Sequence, residues 1–332
     1  VYKRQVFDMH PPFFTSRSYY RRFQIRVARY LKEVSPDVVM LFTFFQFAPL
    51  IREVLPEARI VLRMPGASLG MMDPRIVGSQ LDAIDIILGN SDHITQGIRS
   101  NYPDIAHKCH TMYNGVDSEL FAPDKSRRTG KSQNNIILFV GRVSPEKGVH
   151  LLIEAFSDVL KQHPDCELHI VGAAGLLPYS YHFGLSRDKT DQSCLPFYGK
   201  SFFDKLNRQI FRKDSSYLND LKKLLNRHTK SKVKFLGPMS YTKLPAIYSA
   251  ASVLVAPSVI QEPFGNPVAE AMACGLPVVA TRGGGFRELI EHSHSGILVE
   301  RNSADELSKA LSWVLSHPDA AAEMGRKART RI

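Results

Sequence analysis

Nine short apolar runs, at 37–42, 59–63, 85–89, 136–140, 166–171, 233–236, 253–256, 277–280 and 296–299, recur along the chain with amphipathic stretches between most of them. Runs of this length are too short for buried helices, and their continuity is that of strands covered on both faces. Strands separated by helical patterns pair in parallel. The fold class that follows is α/β, with parallel sheets flanked by helices. At 332 residues the chain exceeds the size at which one core keeps growing. The polar stretch from Pro123 to Asn135 divides it into a first unit, 1–125, and a second, 126–332. Two such units facing one another create a cleft, and open parallel sheets bind ligands beyond the carboxyl ends of their strands.

Two strand-to-turn-to-helix units in the second half carry chemistry. In the later one, the run Val253–Ala256 leads through Glu262-Pro263-Phe264-Gly265-Asn266 into a small-residue helix bearing Glu270, which ends at Gly275. The first N–H groups of such a helix attract a phosphate or an electronegative oxygen, and Gly265 lets backbone approach closely. Glu262 and Glu270 stand roughly 10 Å apart along the helix direction, so they can grip opposite ends of one extended ligand. Carboxylates suit hydroxyl-rich ligands because each accepts several hydrogen bonds. A solvated surface pair is the bland reading of two such glutamates, and the Phe-Gly turn beside them argues against it. In the earlier unit the strand ending at Val140 runs into Gly141-Arg142, with Lys147 opening a helix from about Gly148 to Leu160. A guanidinium fork and a mobile ammonium at that turn can neutralise a pyrophosphate; the alternative is an Arg-Lys pair on a solvated loop, with Glu146 as salt partner.

These segments resemble the retaining glycosyltransferases of family 4, which have the GT-B architecture of two Rossmann-like domains facing a cleft. Asn114-Gly115-Val116-Asp117 is similar to the family's interdomain segment, and Phe139 through Gly148 to its phosphate-binding turn. Val233–Gly237, Ala256-Pro257-Ser258, the Glu262–Glu270 motif and Pro277–Thr281 through Gly284-Gly285-Phe286-Arg287-Glu288 follow in the family's order. The resemblance implies transfer of a hexose from a UDP- or GDP-sugar to a carbohydrate or lipid-linked acceptor, with retention of configuration, in glycan or polysaccharide biosynthesis. It implies Arg142, Lys147 and Glu262 as catalytic residues, the cations on the leaving diphosphate and Glu262 on the sugar hydroxyls. Gly141, Phe264, Gly265, Asn266 and Glu270 would bind the donor, Glu270 through the ribose hydroxyls. No cofactor or divalent metal is expected, since the cations and the helix N-terminus supply the charge stabilisation and no Asp-x-Asp run is present. Family members often carry a histidine after the strand that here reads Arg59-Ile60-Val61-Leu62, but this chain continues Arg63-Met64-Pro65-Gly66. His93, after a later strand, could face the cleft; a helix-capping surface role is the simpler reading. A non-catalytic nucleotide-sugar-binding protein, or an inactive piece, is the alternative to a transferase.

The formal charge of +11 favours anionic partners, and with no recognised nucleic-acid module the expected ones are nucleotide phosphates, lipid phosphates or an acidic membrane surface. Cys109, Cys166, Cys194 and Cys274 lack metal-type spacing, and the reading is a reduced cytoplasm, with peripheral contact at the inner membrane face. No apolar run is long enough to span a bilayer. The chain starts at Val1 without a signal-peptide pattern, and the resemblance suggests a piece lacking elements at both ends.

Two segments fall outside this pattern. Residues 19–30 read as a basic amphipathic helix with Phe23, Val27 and Tyr30 on one face, for membrane contact or for packing on the first sheet. Residues 173–212 form an insertion mixing Tyr179, Tyr181, Phe183, Phe197, Tyr198, Phe202, Phe203 and Phe211 with basic side chains. A lipid-linked acceptor, a membrane interface or a partner subunit would suit such a surface; a loop with its own aromatic cluster is the plainer expectation.

Overall fold

A computed structural model describes residues 17–123, 135–176, 185–198 and 215–332. Strands β1 (Val38–Phe42), β2 (Arg59–Met64), β3 (Ile86–Gly89) and β4 (Cys109–Thr111) form one sheet in that order. A second sheet contains β5 (Ile136–Val140), β6 (Glu167–Val171), β7 (Val233–Gly237), β8 (Val253–Ala256), β9 (Val278–Thr281) and β10 (Ile297–Val299). Its order is β10-β9-β8-β5-β6-β7, and the pairing is parallel throughout both sheets. All nine apolar runs are strands. β4 was not expected, because Cys-His-Thr is three residues with no apolar run; its pairing with β3 places it in the sheet.

The central strands β5, β8 and β9 of the second sheet are buried on both faces, with alternate residues serving opposite cores. Ile137 and Phe139 face Val149, Leu152 and Phe156 of the helix Val149–Gln162, along with Leu307 and Leu311 of the helix Ala304–Ser316. Ile136 and Leu138 face Val268 and Met272 of the helix Asn266–Ala273. After β7 the chain returns to the middle of the sheet, setting β8 beside β5 with Ile137 opposite Val253 and Leu138 opposite Leu254. The strand order reverses there, and in open α/β sheets the ligand crevice opens at such a reversal. Both chemistry-bearing turns leave from these two neighbouring strands. They also touch: the Val259 N–H donates to the Glu146 carbonyl at 2.9 Å. Gly148, at φ +71°, backs onto Pro257 so closely that a Cβ would lie 1.9 Å from its carbonyl oxygen.

In the first unit, Phe23, Val27 and Leu31 of the helix Arg17–Val34 pack on the sheet's core. Tyr30, 36% exposed, lies at the rim of that face, and Ala28 is buried on its other side. Arg21, Arg22, Arg26, Arg29 and Lys32 are exposed on the outer side. No described helix is long and apolar enough to cross a membrane.

The interdomain segment packs on the second sheet's core through Val116, Leu120 and Phe121. The Phe121 ring meets Tyr241 and Tyr248 at 5.0 and 5.9 Å. Arg329, on the helix Pro318–Arg331, donates to the carbonyls of Ser118, Phe121 and Ala273 and so ties the segment to the helix Asn266–Ala273. Most of the polar stretch 123–135 and most of the insertion's aromatic residues lie outside the described residues. The described part of the insertion carries a short helix, Lys189–Gln192, and a 3-10 turn, Leu195–Tyr198. Of its described rings, Phe197 packs on His150 and Tyr217 of the second domain, at 4.6 and 5.2 Å, and Tyr198 shares a small core with Cys194, Val259 and Ile260.

Because Gly148 combines a left-handed backbone with that approach to Pro257, Gly148→Ala should lower unfolding stability by about 3 kcal/mol, read as a shifted denaturant midpoint. An unchanged midpoint would show that the two turns are not held against each other.

Candidate active site

The cluster at the ends of β5 and β8 is built around a buried ion pair. Lys147 Nζ donates to both carboxylate oxygens of Glu262, at 2.8 and 2.7 Å. Ser258 Oγ, two residues beyond β8, donates to Glu262 Oε2 at 2.7 Å. Glu262 is 8% exposed. Burial pushes its carboxyl up, but Lys147, Ser258 and the nearby Arg142 more than offset this, holding it below the usual glutamate range. Gly284 is what lets a second loop close over it: at φ +53°, a Cβ there would sit 2.1 Å from the Glu262 carbonyl oxygen. Gln261 holds that loop by accepting the Gly284 N–H at 2.6 Å.

Arg142 stands beside this pair. Its Nε and Nη2 reach Glu146 Oε1 at 3.2 and 3.1 Å, and Ser144 Oγ donates to the same oxygen at 2.6 Å. Glu146 is completely buried while the Arg142 side chain is 40% exposed, so the guanidinium is held from behind. The expected Glu146 salt partnership therefore exists, but on a buried carboxylate rather than a solvated loop. Gly141 donates its N–H to Val171 at 3.0 Å, and its carbonyl packs where only a glycine at 172 fits.

Glu270 lies one helix further on. Tyr248 Oη donates to its Oε2 at 2.7 Å, and burial raises its pKa against that hydrogen bond. Among the described residues, no hydrogen bond or ion pair joins Glu270 to the Lys147–Glu262 cluster. It sits one turn into the helix Asn266–Ala273, on a buried stretch of it. Gly265 caps that helix at φ +103°, where a Cβ would strike the Phe286 ring at 2.4 Å. The N–H groups of Phe264, Gly265 and Asn266 find no acceptor among the described residues. Three consecutive free donors at a helix start form an anion-binding surface.

The first domain reaches this surface in three places. Arg63, buried in β2, donates to Met112 O and Asn114 Oδ1 at 2.5 and 2.7 Å; Asn114 Nδ2 then donates to Asn266 Oδ1 at 2.8 Å. The Tyr113 ring lies 6.2 Å from that of Phe264. Glu288 accepts the N–H groups of Asp92 and His93 at 2.7 and 2.8 Å, across the cleft. His93 is thus not the cap of its helix, Asp92–Asn101; Ser91 is, accepting from Ile94 N. The His93 ring instead lines a cavity of about 200 Å³ between Ile94 and Met71 of the first domain and Ser186, Asp188 and Gln261 of the second. Burial lowers its pKa and keeps the imidazole neutral.

Sequence reasoning had no role for Ser258, Tyr248 or Gln261. Ser258 was visible in the Ala-Pro-Ser segment; the other two carry no local signal.

Residues 122–331 match the family model of glycosyl transferases group 1. The chain belongs to this family. It is 25% identical over 323 residues to spore coat protein SA of Bacillus subtilis, spanning 93% of the chain and 76% of that protein. To the D-inositol 3-phosphate glycosyltransferase of Corynebacterium glutamicum it is 25% identical over 263 residues, which is 76% of this chain and 54% of that one. Among solved structures, Anabaena Alr3699/HepE in complex with UDP and glucose superposes at TM-score 0.71 and 21% identity, over 93% of this chain and 76% of its own. A glycosyltransferase from Rickettsia africae gives 0.71 at 19% identity, over 97% and 78%. The fold of this group 1 glycosyltransferase is GT-B.

The Lys147–Glu262 pair sets a pH signature. With the Glu262 pKa lowered, its contribution to stability is complete above the unfolded value near 4.3 and is lost as pH falls through the lower folded value. Lys147→Met leaves burial to dominate, raises the folded value above the unfolded one and reverses that sign. The variant should lose about 3 kcal/mol near pH 7 and recover part of it as pH falls toward about 5. Thermal unfolding across that range checks this, and a pH-independent difference would contradict it.

Proposed function

We propose that this chain is a retaining family 4 glycosyltransferase that moves a hexose from a UDP- or GDP-sugar to a carbohydrate or lipid-linked acceptor, in glycan or polysaccharide biosynthesis. The observation that carries this reading is Lys147 Nζ on both oxygens of Glu262, with Arg142 alongside, where β5 and β8 end and the amides of the helix start Phe264-Gly265-Asn266 have no acceptor among the described residues. One nucleotide-diphosphate sugar spans that arrangement. The amides and cations meet the diphosphate, Glu262 the sugar hydroxyls and Glu270 the ribose diol. UDP is the favoured diphosphate, since Anabaena Alr3699/HepE is seen with UDP-glucose and the S. aureus TarM variant with UDP.

In the proposed step the bond from the anomeric carbon to the diphosphate oxygen breaks with the electron pair leaving on oxygen. Arg142 and Lys147 stabilise the charge that develops there. The acceptor hydroxyl attacks from the same face and gives its proton to the departing oxygen, which yields retention. Two cations and a helix start supply the charge stabilisation, so the reading calls for no divalent ion. The cavity beside Gln261 and His93 is the place offered to the acceptor. The exposed arginines of the helix Arg17–Val34 support peripheral contact with an anionic membrane surface on the cytoplasmic side.

Calorimetry with UDP, GDP and ADP should show saturable binding of one diphosphate. Binding should fall at least about a hundredfold in Glu270→Ala and in Arg142→Ala/Lys147→Ala, at 1.4 kcal/mol per tenfold for each charged hydrogen bond lost. Undiminished binding in those variants would refute the site, and an inverted product anomer by NMR would refute the mechanism.

A further inference from the structure

The second oxygen of Glu146 is served from outside the two chemistry-bearing turns. Its Oε1 holds Arg142 and Ser144, and Tyr198 Oη, from the insertion, lies 3.4 Å from Oε2. Tyr198 is 5% exposed, and burial, reinforced by the Glu146 charge, raises its pKa. Its hydroxyl is therefore a proton donor at any working pH.

The segment that delivers Tyr198 is fixed in place. Arg301 donates to Asp188 Oδ2 at 2.5 Å, to Asp191 Oδ1 at 3.1 Å and to the Val259 carbonyl at 3.0 Å, and Ser186 Oγ donates to Asp191 Oδ2 at 2.6 Å. Cys194 and Tyr198 pack on Val259 and Ile260, in the loop that leads to Glu262. The insertion thus rests against both turns of the site at once.

Arginine has much rotamer freedom, and a guanidinium 40% exposed at a short turn must be held if it is to meet a developing charge without reorganising. Glu146 holds it side-on through Nε and Nη2, leaving the other N–H groups for a ligand. A fully buried carboxylate keeps one orientation only while both oxygens are satisfied, and loss of a donor to Oε2 exposes it to a desolvation cost.

We infer that Tyr198 is a positioning residue for the leaving-group cation: by holding Glu146 Oε2, the insertion sets the geometry of Arg142. This rests on the transferase reading above. The competing account is that Tyr198 only fills space in the small core with Cys194, Val259 and Ile260.

Tyr198→Phe keeps the ring and removes the hydroxyl. With UDP-glucose hydrolysis as the assay, or the sugar of whichever diphosphate binds, kcat should fall about fivefold while the donor KM stays within about twofold. In an Arg142→Ala background the same substitution should change kcat by less than about 1.5-fold, because the residue through which it acts is gone. Glu146→Gln, which leaves the aromatic packing intact, should show the same loss of effect in that background and serves if Tyr198→Phe folds poorly. A fivefold drop of equal size in both backgrounds, or wild-type kinetics in Tyr198→Phe, overturns the inference and leaves the transferase reading standing. A wild-type chain that binds none of UDP, GDP and ADP removes both.

Discussion

The site depends on two parallel strands, β5 and β8, lying side by side where the order of the sheet reverses. Each ends in a turn, and one turn carries a lysine while the other carries a glutamate. Their meeting takes both charges mostly out of water, which is tolerable only because Lys147 spans both oxygens of Glu262 and Ser258 adds a third donor. The remaining pieces are arranged around that pair. Arg142 is held from behind by Glu146, the amides of Phe264, Gly265 and Asn266 have no acceptor among the described residues, and Gly284 admits the loop that closes over Glu262. A charge-balanced, preorganised group of this kind is suited to a ligand that brings negative charge and hydroxyls together.

Close backbone approach is the second theme. Gly148 against Pro257, Gly172 against Gly141, Gly265 against Phe286 and Gly284 against Glu262 each leave no room for a methyl group. The four contacts bring the ends of the central strands and their turns close against one another. The first domain then reaches over through Asn114 to Asn266 and through Glu288 to the helix at Asp92. These contacts couple the two domains across the cleft.

The strands were legible as uninterrupted apolar runs, which for β5, β8 and β9 reflects burial on both faces, although β1 keeps its run with Val38, Met40 and Phe42 exposed. β4 was not, since three residues without an apolar run owe their conformation to the neighbour they pair with. The helix Arg17–Val34 was legible, with Phe23 and Val27 on its packed face; that the stripe widens toward Leu31 and Ala28 rather than toward Tyr30 is decided by what the helix meets. The site motifs stood out for their glycines and charges at strand-to-helix turns. Glu146 read as a neighbour salt partner, yet that it is buried and gripped by Tyr198 depends on a segment far along the chain. For His93 the sequence left both a cleft-facing and a helix-capping place open; Ser91 does the capping and His93 lines a cavity between the domains.

The sequence alone determined the α/β class, the division into two units and the chemical character of the site residues, since these follow from local periodicity and from side-chain type. Tertiary structure decided which residues meet: the reversal of strand order that joins Lys147 to Glu262, the docking of the insertion on Glu146, and the contacts that carry the first domain to Asn266. Local patterns encode how each segment folds. Which carboxylate faces which cation is settled only when strands distant in the chain become neighbours, and no local signal records that.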